Sequence, residues 1–258
     1  MGRKSQILLF LVTNLMWGQP TGRSIIEKMD QLKQPIDVKI LYKMTLISTK
    51  DGKERRRSRE LTRIEKKYED GTFKSKLLLR FSQPKEITGT GFLIWDRLGT
   101  NTDDQWLFIP KLKKVKRIRP NEKNQSFMGT DFTYEDLSER DINDDIYEMN
   151  GEEITNGTTC YKVIAKPKKK GVQYSSRIIW VDKKNSLMKR VEFINKKGEL
   201  YKILDFPEHV KNRDYWTATK MIMKNLINNH RTELTMLNIE YDLGLKDNVF
   251  TERFLKRN

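Results

Sequence analysis

Val38-Lys39-Ile40-Leu41-Tyr42-Lys43-Met44-Thr45-Leu46, running through Ile47–Lys50 into the turn pair Asp51-Gly52, decides the fold class. Val38, Ile40, Tyr42, Met44 and Leu46 alternate with mostly polar neighbours. That period of two belongs to a strand with one face in a core and the other toward water. Downstream, a very polar strand from about Arg55 to Tyr68 leads to Asp70-Gly71, a hairpin signal. Phe73, Ser75, Leu77, Leu79 and Phe81 then alternate with Thr72, Lys74, Lys76, Leu78 and Arg80. Two further runs, Thr90–Arg97 and Gln105–Ile109, are apolar on both faces, as expected where a sheet is covered on one side and lines a cavity or core on the other.

The second half continues in the same style. Candidate strands are Cys160–Lys166, Ser175–Asp182, Leu187–Asn195, Leu200–Phe206, Tyr215–Lys224 and Arg231–Tyr241, with turns at Asn156-Gly157, Lys183–Asn185, Lys197-Gly198 and Asn228-Asn229 separating most of them. About ten or eleven strands on hairpin-length loops predict a mainly β chain with short helices, in one large, strongly curled antiparallel sheet, because flat open sheets of that size seldom persist. A barrel or unclosed half-barrel follows, and no linker or repeat divides the chain into two domains.

Upstream, Ser24 and Glu27 have capping-box spacing, and Ile25, Ile26, Met29 and Leu32 share one face of a short helix that ends before Pro35. Arg3 and Lys4 precede an apolar run, Ile7–Trp17, which is too short to span a bilayer comfortably and reads as a secretory signal peptide over residues 1–19. The expectation is therefore one domain over 20–258 in an exported, periplasmic chain, with no transmembrane helix and no cysteine near the cleavage point to carry a lipid anchor.

The chain has 258 residues, with 51 Lys and Arg against 35 Asp and Glu, a formal net charge of +16. Arg3 and Lys4 are the only charges of the signal segment, so the basic excess belongs to the mature protein. Cys160 alone cannot build a disulfide framework, and with only His209 and His230 beside it a structural zinc cluster is close to excluded. No G-x-S-x-G, H-E-x-x-H or phosphate-binding glycine loop is present, and neither histidine has a sequence partner that would make it a catalytic base. Both read as surface or turn residues. The expectation is a non-enzymatic chain without metal or cofactor. The basic runs Arg55–Arg57, Lys111–Arg119 and Lys166–Lys170 are scattered along the sequence and lack base-stacking aromatic motifs, which argues against nucleic acid. A solvated basic face and transient contact with an anionic membrane or an acidic partner remain.

The most informative stretch comprises Gly89–Leu93, Asp104–Pro110, Lys114–Ile118 and above all Ser126-Phe127-Met128-Gly129-Thr130-Asp131-Phe132-Thr133-Tyr134-Glu135-Asp136-Leu137. Over essentially the whole mature chain the sequence resembles the bacterial outer-membrane lipoprotein-sorting protein family, the periplasmic LolA-like group. That resemblance implies an unclosed antiparallel β-barrel under a helical lid. Its apolar concavity would hold lipid or the acyl chains of lipoproteins, received from an inner-membrane transporter and passed to an outer-membrane acceptor. Leu79, Phe81, Phe92, Ile94, Trp106, Phe108, Phe127, Met128, Phe132, Tyr134 and Leu137 are the candidate cavity and lid residues, with plain core filling as the alternative for each. Which face of the Trp106–Ile109 strand lines the ligand space is not readable from alternation.

Gly129 suits a positive-φ bend, and Thr133 and Asp136 have the spacing of a capping box that turns Tyr134 and Leu137 inward. Arg117 and Arg119 are candidates to latch the lid through Asp131, the alternative being that both are solvated. The competing functional reading is an envelope interaction or scaffold protein whose half-barrel is filled by its own side chains.

Overall fold

The computed structural model describes residues 19–69, 71–99 and 103–257. The signal-peptide expectation falls on residues 1–19 and, apart from residue 19, lies outside them. Helix α1 (Gly22–Asp30) leads into β1 (Asp37–Lys50), β2 (Lys53–Lys67), β3 (Phe73–Gln83), β4 (Gly91–Arg97), β5 (Asp104–Ile109) and β6 (Lys114–Arg117). After an irregular segment come β7 (Asp145–Thr155), β8 (Thr158–Pro167), β9 (Ser176–Asp182), β10 (Met188–Ile194), β11 (Leu200–Asn212), β12 (Tyr215–Asn225) and β13 (His230–Tyr241), and a short helix α2 (Glu252–Leu255) follows. All thirteen strands form one antiparallel sheet in the order β6-β5-β4-β3-β2-β1-β13-β12-β11-β10-β9-β8-β7. The sheet is unclosed, with β6 and β7 at its two edges.

Two hairpin-linked meanders thus meet where β1 pairs with β13, from Val38 opposite Tyr241 to Ser48 opposite His230. β6 and β7 follow each other in sequence yet end at opposite edges. Residues 118–144 must therefore cross between the edges, and they do so as a strap over the concave face.

β6 and β7 were not among the strands read from the sequence, and β11 runs on to Asn212 through Pro207. Its pairing with β12 breaks between Asp205 and Glu208, so the residue without an N–H sits where no ladder bond is demanded.

Alternation sorts the side chains into three cores. On the concave face, Ile40, Tyr42, Met44 and Leu46 of β1 join Leu61, Leu77, Leu79, Phe81, Phe92, Ile94 and Leu107. On the convex face, Leu78, Leu93, Trp106 and Phe108 are covered by Phe250 and Leu255 of the C-terminal segment. β3–β5 are thereby buried on both sides. Arg80 fastens the cover: its Nη1 donates to Leu255 O and Gly89 O and its Nη2 to Phe254 O, each at 3.0 Å. The third core joins α1 (Ile25, Ile26) to Val163, Ala165, Ile179, Val181, Val191, Phe193 and Met223 of the second meander. α1 approaches so closely that a Cβ on Gly22 would lie 2.8 Å from backbone atoms of Glu148 and Met149, so only glycine fits there.

Toward one end of the first meander the concave face turns polar. Asp96 is buried, accepts from Ser75 Oγ at 2.9 Å and from the Glu139 N–H at 3.3 Å, and has its carboxyl pushed up to about 7, first by burial and then by Asp103. In the unfolded chain this carboxyl ionises at its ordinary value, so its contribution is present below that value and is lost as pH rises toward about 7. Asp96→Asn should therefore melt higher than the parent at pH 8, with the two converging near pH 4. Thermal melts across this range check it, and a difference independent of pH would contradict it.

Candidate functional site

The strap is held by polar contacts to both meanders. Met128 (φ 52°) and Gly129 (φ 74°) make the tight bend. Phe127 sits 1% exposed among Phe81, Phe92 and Tyr134, and Arg59 of β2 donates to Met128 O at 2.7 Å. Thr133 and Asp136 make both capping-box bonds, Thr133 N–H to the Asp136 carboxylate (2.8 Å) and Asp136 N–H to Thr133 Oγ1 (3.3 Å), around a single 3₁₀ turn, Glu135–Leu137. Gln105 of β5 donates to Tyr134 O and Ser138 Oγ, both at 2.9 Å.

The Asp136 carboxylate also accepts from Tyr174 OH at 2.9 Å and pairs with Lys202 Nζ of β11 at 3.4 Å, and Lys202 is 1% exposed. Burial first, and Asp136 second, holds the Tyr174 hydroxyl well above its ordinary range, so it stays a donor.

The arginine latch is a correction. Asp131 is tied to the sheet through His230 Nδ1 (2.7 Å) and Thr232 Oγ1 (2.7 Å) of β13. Arg117 instead pairs with Asp104, and exposed Arg119 offers its backbone N–H to Glu122 at 3.0 Å. The reason is register: Arg117 stands opposite Trp106 and so shares the convex face with Asp104, away from the strap. Nor is either histidine a free surface residue. His230 is engaged with Asp131, and His209 lies within β11 with Nδ1 buried and without a partner, its imidazole lowered to about 4 first by burial.

A cavity of about 960 Å³ lies between the strap, α1 and the second meander. Its apolar wall comes from Ile26 and Met29 of α1 and from Tyr147, Ile179, Met188, Val191, Phe193, Leu204 and Met223 on β7 and β9–β12. Its rim is polar and carries Glu135, Asp136 and Arg140 of the strap, Arg177 of β9 and the lysines at 169–170.

Arg140 grips Asp145 with two bonds of 2.6 Å, while Arg177 reaches the same carboxylate at 3.8 Å and leaves its Nε buried without a partner. Burial, then Arg140, lowers the Arg177 guanidinium from its ordinary value, and burial, then Asp136, raises Glu135. An incompletely paired polar collar around an apolar floor has the chemistry to suit an amphipathic molecule.

None of the eleven candidate cavity residues lines this space. Leu79, Phe81, Phe92, Ile94, Phe127 and Tyr134 form the concave core of the first meander, with Met128 and Leu137 packed against it. Phe132 joins the second-meander core. Trp106 and Phe108 lie on the convex face beneath the C-terminal segment. The sequence does contain the cavity strands; alternation in Leu187–Asn195 and Leu200–Phe206 marks Val191, Phe193 and Leu204 as inward, but not as unfilled. Among the described residues no group of three or more His, Cys, Asp or Glu side chains is placed to hold a metal.

Comparison with known proteins agrees with this architecture. A family model described as uncharacterised protein-like matches residues 74–257. A domain from Vibrio parahaemolyticus, provisionally described as an outer membrane lipoprotein-sorting protein, is 32% identical over 92% of this chain and 98% of its own, with a TM-score of 0.85. A DUF1329 family protein from Desulfovibrio piger is 31% identical over 91% and 97%, with a TM-score of 0.84. A LolA superfamily protein from Nitrosomonas europaea shares the fold at 18% identity over 92% and 100%, with a TM-score of 0.70. No curated protein matches the chain. The chain belongs to the family of these outer-membrane lipoprotein-sorting and DUF1329 proteins, and it shares its fold with the LolA superfamily protein.

Proposed function

We propose that this protein is a non-enzymatic periplasmic carrier that takes lipid, or the acyl chains of a lipoprotein, and moves it toward the outer membrane. The observation that carries the reading is the cavity of about 960 Å³ with an apolar floor and a polar collar. That volume is at the upper end of the ~300–1,000 Å³ usual for small-ligand pockets. Its roof consists of α1 and the strap, elements outside the sheet, so cargo can enter by shifting the roof without breaking strand pairing. Loading is then a shift of population between closed-empty and open-loaded states, with hydrocarbon replacing roof contacts. Cargo must also leave, so affinity is moderate and direction comes from partners: an inner-membrane transporter that supplies and an outer-membrane acceptor that receives.

One observation favours a second reading, an envelope scaffold. The concave face over β1–β5 is filled by the protein's own side chains. A single experiment separates the two. Protein purified from the envelope should release lipid or acylated peptide on organic extraction, seen by native mass spectrometry as a mass excess. Met188→Trp, which fills the cavity floor, should reduce that cargo severalfold while leaving the fold intact by circular dichroism. Reproducibly empty parent protein would favour the scaffold.

A further inference from the structure

The basic runs that are scattered in sequence are gathered by the fold. Because every pairing is antiparallel, alternate turns fall at the same end of the curled sheet. The turns after β1, β3, β5, β8, β10 and β12 share one end, as the registers Lys50–Lys53, Ser48–His230, Asn225–His230 and Ala165–Arg177 require. The β1–β2 turn brings Lys50 and Lys53, with Arg55 and Arg57 just behind; the β3–β4 turn brings Lys85. The β5–β6 turn adds Lys111, Lys113 and Lys114, the β8–β9 connection Lys168–Lys170, and the β10–β11 turn Lys196 and Lys197. All of these are exposed, and among the described residues only Lys169 of this set has an ion-pair partner, Asp144 at 3.4 Å. Acidic residues in the same stretches are few: Asp51, Glu54, Glu86 and Glu199. The opposite end is balanced, with Lys183, Lys184, Arg213 and, beyond β13 beside Lys66, Lys246 set against Glu69, Asp103, Asp214, Asp242 and Asp247.

Two turns of the basic end also lift apolar side chains outward. Leu112 is 63% exposed between Lys111 and Lys113, and Ile227 is 64% exposed at the tip between β12 and β13. Lysines around protruding aliphatic tips match a surface of anionic headgroups over hydrocarbon: charge draws the end down, and the tips enter the interface. An acidic protein patch would satisfy the lysines and leave the tips without partners. Lys169 and Lys170 belong both to this end and to the cavity rim, so docking here places that rim at the lipid surface.

We propose that this end of the sheet, led by the Lys111–Lys114 turn, is a docking surface for anionic lipid membranes. The proposal goes beyond the carrier reading and stands whether or not the cavity holds acyl chains.

Vesicle co-sedimentation tests it. The parent should bind phosphatidylcholine vesicles containing phosphatidylglycerol at about 0.05 M salt, release at about 0.5 M, and bind pure phosphatidylcholine poorly. Lys111→Glu, Lys113→Glu and Lys114→Glu together should weaken binding at least about tenfold. Lys184→Glu, Arg213→Glu and Lys246→Glu, the same charge change at the opposite end, should weaken it less than about twofold. Circular dichroism melts confirm that both triples are folded. Because Cys160 is fully buried, Leu112→Cys can be labelled selectively with an environment-sensitive fluorophore, which should shift to the blue only with anionic vesicles. Equal binding to neutral vesicles, salt-independent binding, equal effects of the two triples, or no vesicle binding at all, as for an end that recognises an acidic protein, would each overturn the proposal. Lipid extraction of the purified protein reads the cavity alone, so the two readings fail separately.

Discussion

Lys202→Met is expected to lower the free energy of unfolding by about 3–5 kcal/mol, the usual cost of removing one partner from a buried ion pair. The Lys202 and Asp136 side chains are 2% and 4% exposed. The methionine nearly matches the stem of the lysine, so the loss falls on Asp136, which keeps Tyr174 OH and the Thr133 N–H but no cation. Adding Asp136→Asn removes the stranded charge and should recover a large part of the loss, a strong non-additivity measurable by urea denaturation of the two single mutants and the double mutant. Simple additivity would show that the pair acts independently. Asp136 and Tyr174 also border the cavity, so the single variant should exchange a bound apolar fluorophore faster than the parent.

The second large effect lies at the other end of the strap. Phe127→Ala is expected to cost about 3–5 kcal/mol, as for other buried aromatics cut to alanine. The Phe127 ring lies 5.0 Å from that of Phe92, 5.7 Å from Tyr134 and 6.1 Å from Phe81, in a region where the sheet is already closed on its convex side by the C-terminal segment. Neither wall can collapse into the void. Phe127→Leu should fall between alanine and the parent. The measurement also distinguishes core from lid: a Phe127 that merely covered ligand space would cost under about 1 kcal/mol, because its site would be hydrated or loaded in the parent.

The curled sheet was legible because its signals are local. Asp51-Gly52 and the alternation of Val38 to Leu46 specify the β1–β2 hairpin without tertiary information, and the two-faced apolar run Gln105–Ile109 announces burial on both sides. β7 was missed for a physical reason: its register shifts between Met149 and Glu152, so the inward set Tyr147 and Met149 does not continue in phase, and Ile146 and Ile154 point to solvent. β6 is four residues of mostly charged side chains, a length and composition that protect an edge and disguise a strand.

The site was only half legible. The segment Ser126–Leu137 was recognisable as a compact bend and turn, but which meander it fills and which it merely roofs depends on the partners found by Phe127 and Asp136 far away in sequence. The latch failed on the same ground. Arg117 and Asp131 are close in the chain, yet strand parity turns Arg117 to the convex face while Asp131 lies in the strap, and its true partners, His230 and Thr232, lie about a hundred residues on.

The seam between β1 and β13 bears on how the chain folds. Every other strand pairing joins neighbours in sequence, so each meander can grow hairpin by hairpin at small loop-closure cost. The seam alone joins the beginning of the sheet to its end, and the strap's tie from Asp131 to β13 needs that seam in place. Non-local pairing of this kind is slow relative to hairpin formation, so both concave faces stay open to solvent until the last strand has arrived. The chain therefore passes through a stage in which its own apolar interior is what needs shelter.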